Sequence, residues 1–428
     1  MNKKSVKCVS IVMFMSFVCL ILAVTAKTTE AKDKKINQDT VYDLTNGIYK
    51  VSVKVKNESD KPGYFTFQNN EFRATRPKKI SAGKSRIIES RVAVTDGQLY
   101  VTVPEQEGMK AERILLGERM ENPKKSKDTL YFFGDSTTRY YTWKERGGMG
   151  EGFLQTLRDY SKCDVSTVKI RFKDIILASF PDYDVYNYSR FGQSTLSMME
   201  SGTFNELLCS VGEGDRVIIS LGHNDFLRRA KGVYTTLEVY ENNLKEMISE
   251  LRQYGAVPIL CSPTGMCIYD DGAVENKLGE CEEIMKRVAK DEKCSYLPLG
   301  ELHRKYLNLI GKDRAKKLYM PGDTTHLNKK GAAVTGKILA GLILKDASLE
   351  IIGKHIEKDE TAAIDTIKKF SELFTGTKKS PGMRLELFAA AGLIVVGGGN
   401  TSTFELAAAG IGIAATAFIV CCTGKQKI

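Results

Sequence analysis

Five residues in the middle of this 428-residue chain have the side chains and spacing that acyl transfer requires. Ser136 offers a hydroxyl nucleophile, which reacts only after a base removes its proton. His326 is the candidate base, and Asp323, three residues earlier, can bond the other ring nitrogen and stabilise the imidazolium. The backbone N–H groups of Ser136 and Gly192 and the side-chain amide of Asn224 are candidate donors to an oxyanion. Together these residues predict an acyl-enzyme mechanism.

Each of these signals has a simpler alternative when it is taken alone. Asp323-x-x-His326 is also typical of the turn before a helix, with Asn328 as the capping residue. Gly192 alone is compatible with an ordinary turn. The position of the signals in the fold therefore decides between the two interpretations.

From residue 128 to about residue 347, apolar strands alternate with amphipathic helices, which predicts an α/β domain with a parallel sheet. The predicted strands are 129–133, 185–188, 216–220, 257–261 and 295–298, and the predicted helices are 150–160, 237–254, 274–291 and 328–344. Ligands bind beyond the carboxyl ends of such strands. Ser136, Gly192 and Asn224 each follow one of the first three strands, and His326 directly precedes the last helix. Their common placement favours the catalytic interpretation.

The region before this domain has a different pattern. Short alternating apolar runs between residues 42 and 103, separated by Gly, Pro and Asn turns, predict a small β-sandwich at 38–118. A lysine-rich segment at 121–127 is the predicted linker to a hydrolase domain at 126–347.

Both ends of the chain are apolar. Residues 1–26 carry early lysines, an apolar stretch and small residues, which predicts a secretory signal peptide. Residues 348–386 are a predicted charged stalk, and 387–428 a predicted C-terminal membrane anchor with a basic tail. A buried helical hairpin is the alternative for the last segment. We therefore expect an exported protein, either secreted or held at the extracellular face of the cell membrane.

The chain has 63 basic and 52 acidic residues, a net charge of +11. An exported basic protein can attract acidic polymers, although a solvated basic surface is the simpler explanation. No nucleic-acid-binding module is present. With only four histidines and no C-x-x-C pair, we expect no metal site. Cys281 and Cys294 are the most plausible disulfide partners, and free buried thiols are an equal alternative.

The chain resembles the SGNH (GDSL) hydrolase superfamily, and in particular its rhamnogalacturonan acetylesterase branch, in four ordered blocks: Phe133-Gly134-Asp135-Ser136-Thr137, Gly192, Gly222-His223-Asn224-Asp225 and Asp323-Thr324-Thr325-His326-Leu327-Asn328. The resemblance implies a flavodoxin-like fold with a triad of Ser136, Asp323 and His326. It also implies oxyanion donors at Ser136, Gly192 and Asn224, no metal or other cofactor, and an acetylated polysaccharide as substrate. The strand-rich first region resembles the galactose-binding-like domain that precedes some bacterial members.

One position departs from this branch. Met149 occurs where these acetylesterases usually carry tryptophan, which bears on pectin backbone as a substrate. His223 is a candidate lining residue beside the oxyanion site, with a structural hydrogen bond to a neighbouring loop as its alternative. Tyr140 and Trp143 are candidate stacking residues for sugar rings, with core packing as theirs.

We therefore expect a serine esterase that removes O-acetyl groups from a pectin-like or other acetylated glycan. An esterase or lipase acting on lipid or cell-wall acetyl esters is one alternative. A non-catalytic surface protein that binds glycans is another. The sequence predicts no oligomeric state.

Overall fold

The computed structural model describes residues 33–69, 72–122, 128–141, 145–160, 176–179, 183–227 and 233–345. Two compact units meet in sequence at Met120 and Glu121, and the short segment Glu71–Arg76 groups with the second unit. The predicted signal peptide, linker, stalk and C-terminal anchor lie wholly or mostly outside the described residues. None of the described helices has the length and apolar character that a membrane crossing needs.

Most of the described strands up to residue 120 pair in an antiparallel manner. The strands of this region are β1 (Lys34–Ile36), β2 (Val41–Asp43), β3 (Gly47–Asn57), β4 (Gly63–Phe65), β5 (Gln68–Asn69), β6 (Phe72–Arg73), β7 (Lys78–Ile80), β8 (Ser85–Val94), β9 (Gln98–Thr102) and β10 (Met109–Met120). The largest sheet has the order β1-β10-β3-β8. Val51, Val53 and Val55 on β3 are fully buried while Lys54 between them is exposed, as expected for a strand with one core face. β2-β9-β5 and β4-β7 form further antiparallel pairs. The packing of these sheets as a sandwich remains a prediction.

The second unit contains a six-stranded sheet with helices. Its strands are β11 (Asp128–Gly134), β12 (Ile176–Ser179), β13 (Tyr183–Asn187), β14 (Arg216–Ser220), β15 (Val257–Cys261) and β18 (Ser295–Leu297), with a hairpin of β16 (Tyr269–Asp270) and β17 (Ala273–Val274). Its helices are α1 (Met149–Tyr160), α2 (Thr195–Glu200), α3 (Thr203–Leu208), α4 (His223–Leu227), α5 (Leu237–Gln253), α6 (Gly279–Asp291), α7 (Leu299–Ile310), α8 (Lys312–Lys316) and α9 (Lys329–Lys345).

The six-stranded sheet has the order β12-β13-β11-β14-β15-β18. All its pairs are parallel except the edge pair β12–β13. β11 lies inside the sheet, and Leu130 to Phe133 are almost completely buried. Such continuous burial requires cover on both faces of a strand, which is the usual state of a parallel sheet. The α/β fold predicted for this unit is therefore confirmed.

The sheet order places three candidate site residues beside one another. β13, β11 and β14 are neighbours, and Gly134 at the end of β11 pairs with Ser220 at the end of β14. The backbone N–H of Arg190 donates to the carbonyl of Gly134 at 2.9 Å, so the chain after β13 stays beside β11. Ser136, Gly192 and Asn224 each follow one of these three strands.

Several elements differ from the sequence prediction. The helix predicted from residue 274 begins at Gly279, because Ala273 and Val274 belong to the β16–β17 hairpin. The edge strand β12 and the 12-residue strand β10 were not predicted. Helix α7 was also missed, although it is amphipathic and buries Leu299, Tyr306 and Leu307.

Candidate active site

Ser136 lies in a tight turn that directly follows β11, here called the nucleophile turn (residues 134–138). The Asp135 carboxylate Oδ1 accepts hydrogen bonds from the backbone N–H and the hydroxyl of Thr137, both at 2.8 Å. The Tyr141 hydroxyl donates to the Ser136 carbonyl at 2.6 Å. A Cβ on Gly134 would lie 2.5 Å from the Ser220 carbonyl oxygen and 2.6 Å from the Thr138 hydroxyl. The turn is thus held by Thr137 within it and by Tyr141 outside it, and it has no room for a residue larger than glycine at its start.

His326 and Asp323 lie together on the segment before α9, here called the base loop (residues 320–328). The backbone N–H of Asp323 donates to the carbonyl oxygen of Met320 at 3.0 Å. The backbone N–H of Met320 donates in turn to the carbonyl oxygen of His326 at 2.9 Å. Asn328 accepts the backbone N–H groups of Lys330 and Gly331 and so caps α9. The capping role that the sequence offered as an alternative is therefore present beside the candidate base.

The structure brings the three predicted triad residues into hydrogen-bond contact. Asp323 Oδ2 lies 2.6 Å from His326 Nδ1, and His326 Nε2 lies 2.9 Å from Ser136 Oγ. A carboxylate only accepts hydrogen bonds, so Nδ1 carries the proton and Nε2 presents its lone pair. The Ser136 hydroxyl therefore donates to Nε2, which is the arrangement from which His326 can remove its proton.

The electrostatic surroundings keep His326 a free base. Burial, assisted by the charge of Arg146, lowers the pKa of His326 below its usual 6.5 against the opposing effect of Asp323. Burial also opposes the charged carboxyl of Asp323. The backbone N–H groups of His326 and Thr325 outweigh that effect and hold the pKa of Asp323 below its usual value. Near neutral pH, His326 is therefore neutral and Asp323 is ionised.

The predicted oxyanion donors have hydrogens to spare. The Asn224 amide donates one hydrogen to the carbonyl of Gln193 at 2.8 Å, and an amide carries two. In the part of the chain that the structure describes, neither its second hydrogen nor the backbone N–H groups of Ser136 and Gly192 donate to a protein acceptor. Gly192 has a φ of +64°, a left-handed conformation that favours glycine. Three unused donors follow three adjacent strand ends.

Asp225 holds two parts of this site together. Its buried carboxylate accepts the backbone N–H and the hydroxyl of Thr195 and the hydroxyl of Thr235. This fixes the start of α2, just after Gly192, to α4, which contains Asn224. Burial raises the pKa of Asp225 to about 6. Asp225 lies in the block Gly222-His223-Asn224-Asp225 but had no predicted role; its position next to Asn224 was the available signal.

His223 is buried rather than lining an open pocket, and its side chain is 4% exposed. Its Nε2 lies 3.1 Å from the Thr264 carbonyl oxygen, so the alternative of a structural hydrogen bond to a neighbouring loop is the one observed. Tyr140 is half-buried and packs against the hydrophobic core, which agrees with the packing alternative. Trp143 lies outside the described residues. Met149 begins α1 and is fully buried in the core.

The cysteine residues do not form the suggested bridge. Cys281 and Cys294 are both free, as are Cys209, Cys261 and Cys267. The Cys281 thiol instead lies 2.9 Å from the Tyr240 hydroxyl. Among the described residues no group of three or more His, Cys, Asp or Glu side chains could hold a metal ion.

Two arginines lie over the aromatic rings next to the nucleophile turn. The Arg146 guanidinium is 4.6 Å from the Tyr141 ring centre, and the Arg139 guanidinium is 4.0 Å from the ring centre of Phe191. The two rings meet edge to face at 5.3 Å. Neither arginine was selected from the sequence, because a single arginine in a loop carries no spacing signal.

Comparison with known proteins gives the same family as the residue blocks. The profile of the GDSL-like lipase/acylhydrolase family matches residues 132–334. The rhamnogalacturonan acetylesterase RhgT of Bacillus subtilis is 28% identical over 191 residues, which are 40% of this chain and 81% of that protein. The probable rhamnogalacturonan acetylesterase YesY of the same bacterium is 27% identical over 217 residues, 49% of this chain and 90% of its own.

A crystal structure of the B. subtilis protein YxiM is 22% identical, with a TM-score of 0.41, and the match covers 73% of this chain and 84% of that one. The family match spans every residue of the triad and all three oxyanion donors. Residues 132–334 are therefore a domain of the GDSL-like lipase/acylhydrolase family.

Proposed function

We propose that this protein is a serine esterase that removes O-acetyl groups from a polysaccharide through an acyl-enzyme. The observation that carries the proposal is the continuous hydrogen-bonded line from Asp323 through His326 to Ser136, with distances of 2.6 and 2.9 Å. An ester hydrolase of this type needs no cofactor, because the base, the nucleophile and the donors are all supplied by the chain.

In the proposed reaction, His326 takes the Ser136 proton as Oγ attacks the acetyl carbonyl carbon. The Asp323 carboxylate stabilises the resulting imidazolium. The N–H groups of Ser136, Gly192 and Asn224 donate hydrogen bonds to the former carbonyl oxygen and stabilise its negative charge. His326 then gives the proton to the departing sugar oxygen, which leaves as a hydroxyl while the acetyl group stays on Ser136 Oγ. In the second step His326 takes a proton from a water molecule as that water attacks the acetyl carbonyl, and returns it to Ser136 Oγ as acetate leaves.

The proposed substrate is an acetylated glycan that carries carboxylates, such as a pectin- or rhamnogalacturonan-like polymer. The two B. subtilis relatives named as rhamnogalacturonan acetylesterases support a carbohydrate ester. The guanidinium groups of Arg139 and Arg146 support an acidic one, since arginine pairs readily with carboxylates while it stacks on an aromatic ring. Phe191, 38% exposed, adds an apolar surface of the kind on which sugar faces stack.

Export and a C-terminal membrane anchor complete the proposal, and their support is the pattern of residues 1–26 and 387–428 alone. We also propose that the strand-rich first unit is a galactose-binding-like sandwich that holds the polymer. The partners are then an acetylated polysaccharide and the membrane, with no nucleic acid.

The decisive variant is Ser136→Ala, because it removes the nucleophile and leaves only small changes in packing. We expect hydrolysis of p-nitrophenyl acetate to fall by about 10⁶-fold, with an unchanged circular dichroism spectrum. Activity that survives this change would exclude the mechanism. Acetate release from acetylated pectin fragments, xylan and peptidoglycan by the native protein separates the glycan classes. A preference for long-chain nitrophenyl esters would instead indicate a lipase.

A further inference from the structure

A second buried contact joins the nucleophile turn to the oxyanion donor Asn224. Asp135 precedes Ser136, and its carboxylate is completely buried. His223 precedes Asn224 and is also buried. Asp135 Oδ2 lies 3.4 Å from His223 Nδ1, and neither atom has a hydrogen-bond partner that satisfies normal geometry. The residue before the nucleophile therefore faces the residue before the oxyanion amide.

The other polar atoms of this pair fix where protons can be. The Thr264 carbonyl oxygen can only accept, so the His223 Nε2 at 3.1 Å must donate to it. Asp135 Oδ1 already accepts two hydrogen bonds from Thr137. If Nδ1 had no proton, its lone pair would face the Oδ2 lone pairs in a site without solvent, which is unfavourable. The pair needs one proton between Nδ1 and Oδ2.

We propose that His223 carries protons on both ring nitrogens and that its Nδ1 proton locks the nucleophile turn to helix α4. The proposal rests on the proposed esterase function only for its catalytic consequence. The two donors from Thr137 favour the ionised form of Asp135 and so place the proton on the ring. In agreement, the charge of His223 and the Thr137 hydrogen bonds outweigh burial, which acts in the opposite direction, and hold the pKa of Asp135 below its usual value. His223 is thus a positioning residue for Asn224 and Ser136.

The other ionisable groups near this pair do not replace that proton. Asp225, on α4 itself, is held by Thr195 and Thr235 and contributes a second negative charge near Asp135. Tyr240 on α5 and Cys281 on α6 lie behind Gly222. Burial raises the pKa of Cys281 and of Tyr240 well above their usual values, so both stay neutral. Glu282 on α6 is paired with Arg304 at 2.7 Å. The negative charge of Asp135 acts on His326 and raises its pKa, an effect that burial of His326 outweighs.

Loss of this proton at high pH has a defined effect. The buried Asp135 carboxylate would be left without its cation, and the nucleophile turn and helix α4 would move apart. A displacement of about 1 Å in a catalytic group costs about 10²-fold in rate. We therefore expect kcat to fall on the alkaline side of the pH profile while KM changes little.

Two single substitutions distinguish the proposed Asp135–His223 link from a role of His223 in packing alone. His223→Asn places an amide N–H near the position of Nδ1, so it keeps the link to Asp135 and loses the one to Thr264. His223→Gln reaches the position of Nε2, so it keeps the link to Thr264 and loses the one to Asp135. We expect kcat on p-nitrophenyl acetate to fall by less than about 10-fold in His223→Asn and by about 10²-fold in His223→Gln. The reverse order would assign His223 a purely structural role and overturn the proposal.

Asp135→Asn provides the matched change on the other partner. Its amide still accepts from Thr137 and can donate to a neutral Nδ1, so the link no longer depends on a titrating proton. We expect the alkaline fall in kcat, measured from about pH 6 to about pH 10, to disappear in this variant. An unchanged alkaline limb would contradict the proposal.

A readout independent of esterase activity is the protonation of the ring itself. The chain has four histidines, so ¹⁵N-histidine labelling of the full protein gives few signals, and His223→Asn identifies the one from His223. We expect both ring nitrogens of His223 to carry protons near neutral pH in the native protein. A bare Nδ1 overturns the proposal whether or not the protein hydrolyses esters, and two protonated nitrogens support it whatever the effect of the variants on kcat.

Discussion

The nucleophile turn and the base loop are built in opposite ways. Ser136 is 6% exposed and follows a strand inside the sheet, and its neighbours are held by residues from distant parts of the chain. His326 and Asp323 are half-buried, three residues apart, and are joined mainly by hydrogen bonds within their own loop. One half of the site depends on the whole sheet, whereas the other half is largely a local turn.

The geometry of the two halves of the site therefore depends on different parts of the fold. The proposed oxyanion donors follow three strand ends, so their geometry depends on the register of β13, β11 and β14. The pairing of Asp323 with His326 depends on a few φ and ψ angles. Changes in the base loop should therefore alter protonation and rate with little effect on the fold, and changes beside Ser136 should alter both.

The largest effect that tests this comparison is expected from Asp323→Asn. The amide no longer stabilises the imidazolium, and it can hold the ring in the wrong tautomer. We expect kcat to fall by about 10⁴-fold, while the urea midpoint of unfolding stays close to native. A large loss of stability would show that the base loop is not an independent turn.

Asn224→Ala probes the oxyanion side and should have a smaller effect on rate. The variant removes one of three donors, so kcat should fall by about 10²- to 10³-fold with KM nearly constant. It also leaves the carbonyl of Gln193 without the hydrogen bond from Asn224, so the free energy of unfolding should drop by about 1 kcal/mol. Steady-state kinetics and urea titration measure the two effects. A change confined to KM would place Asn224 outside the oxyanion site.

A matched pair of glycines compares the two regions directly in stability. Gly134→Ala forces a methyl group against backbone and side-chain atoms at 2.5 and 2.6 Å, and we expect a loss of about 3 kcal/mol or more. Gly322, in the base loop, has open space around its Cα but a φ of +73°. Gly322→Ala should cost only about 1 kcal/mol. Equal losses in urea titrations would remove the distinction between the regions.

The smallest expected effect is a shift in the acidic limb of the pH profile. In the proposed mechanism the free base His326 is the active form, so kcat/KM should fall as pH drops through its pKa, which lies below 6.5. Arg146→Met removes a charge that lowers this pKa, so the limb should move to higher pH. Asp323→Asn removes a charge that raises it, so the limb of its residual activity should move to lower pH. Shifts in the same direction would contradict the assignment of His326.

Much of the second unit was predictable because its sequence signals are local. A buried apolar run followed by Gly-Asp-Ser predicts both a strand and the turn after it, and the starts and ends of β14, β15 and α5 agree with the prediction to within one residue. The triad contact followed from the same placement. His326 needed only to precede the last helix to lie within reach of Ser136.

The missed features depend on contacts between distant residues. Asp135 and Asp225 are polar residues whose roles arise only when β11 and β14 become neighbours. Strand β10 alternates poorly in sequence, and two register irregularities in its pairing with β3 explain the weak pattern. The suggested Cys281–Cys294 bridge was wrong because the thiol of Cys281 lies beside the Tyr240 hydroxyl instead.

The buried Cys281 thiol gives the protein an internal reporter. Its sulfur packs directly against the Cα of Gly222, behind the turn that leads to Asn224. A thiol reagent can reach this buried sulfur only when the turn at Gly222 moves away from it. The rate of Cys281 labelling therefore measures how often this turn opens. A non-hydrolysable acetyl-ester analogue that holds Asn224 in place should slow this labelling. The decrease in rate measures how strongly a bound ligand rigidifies the turn at Gly222.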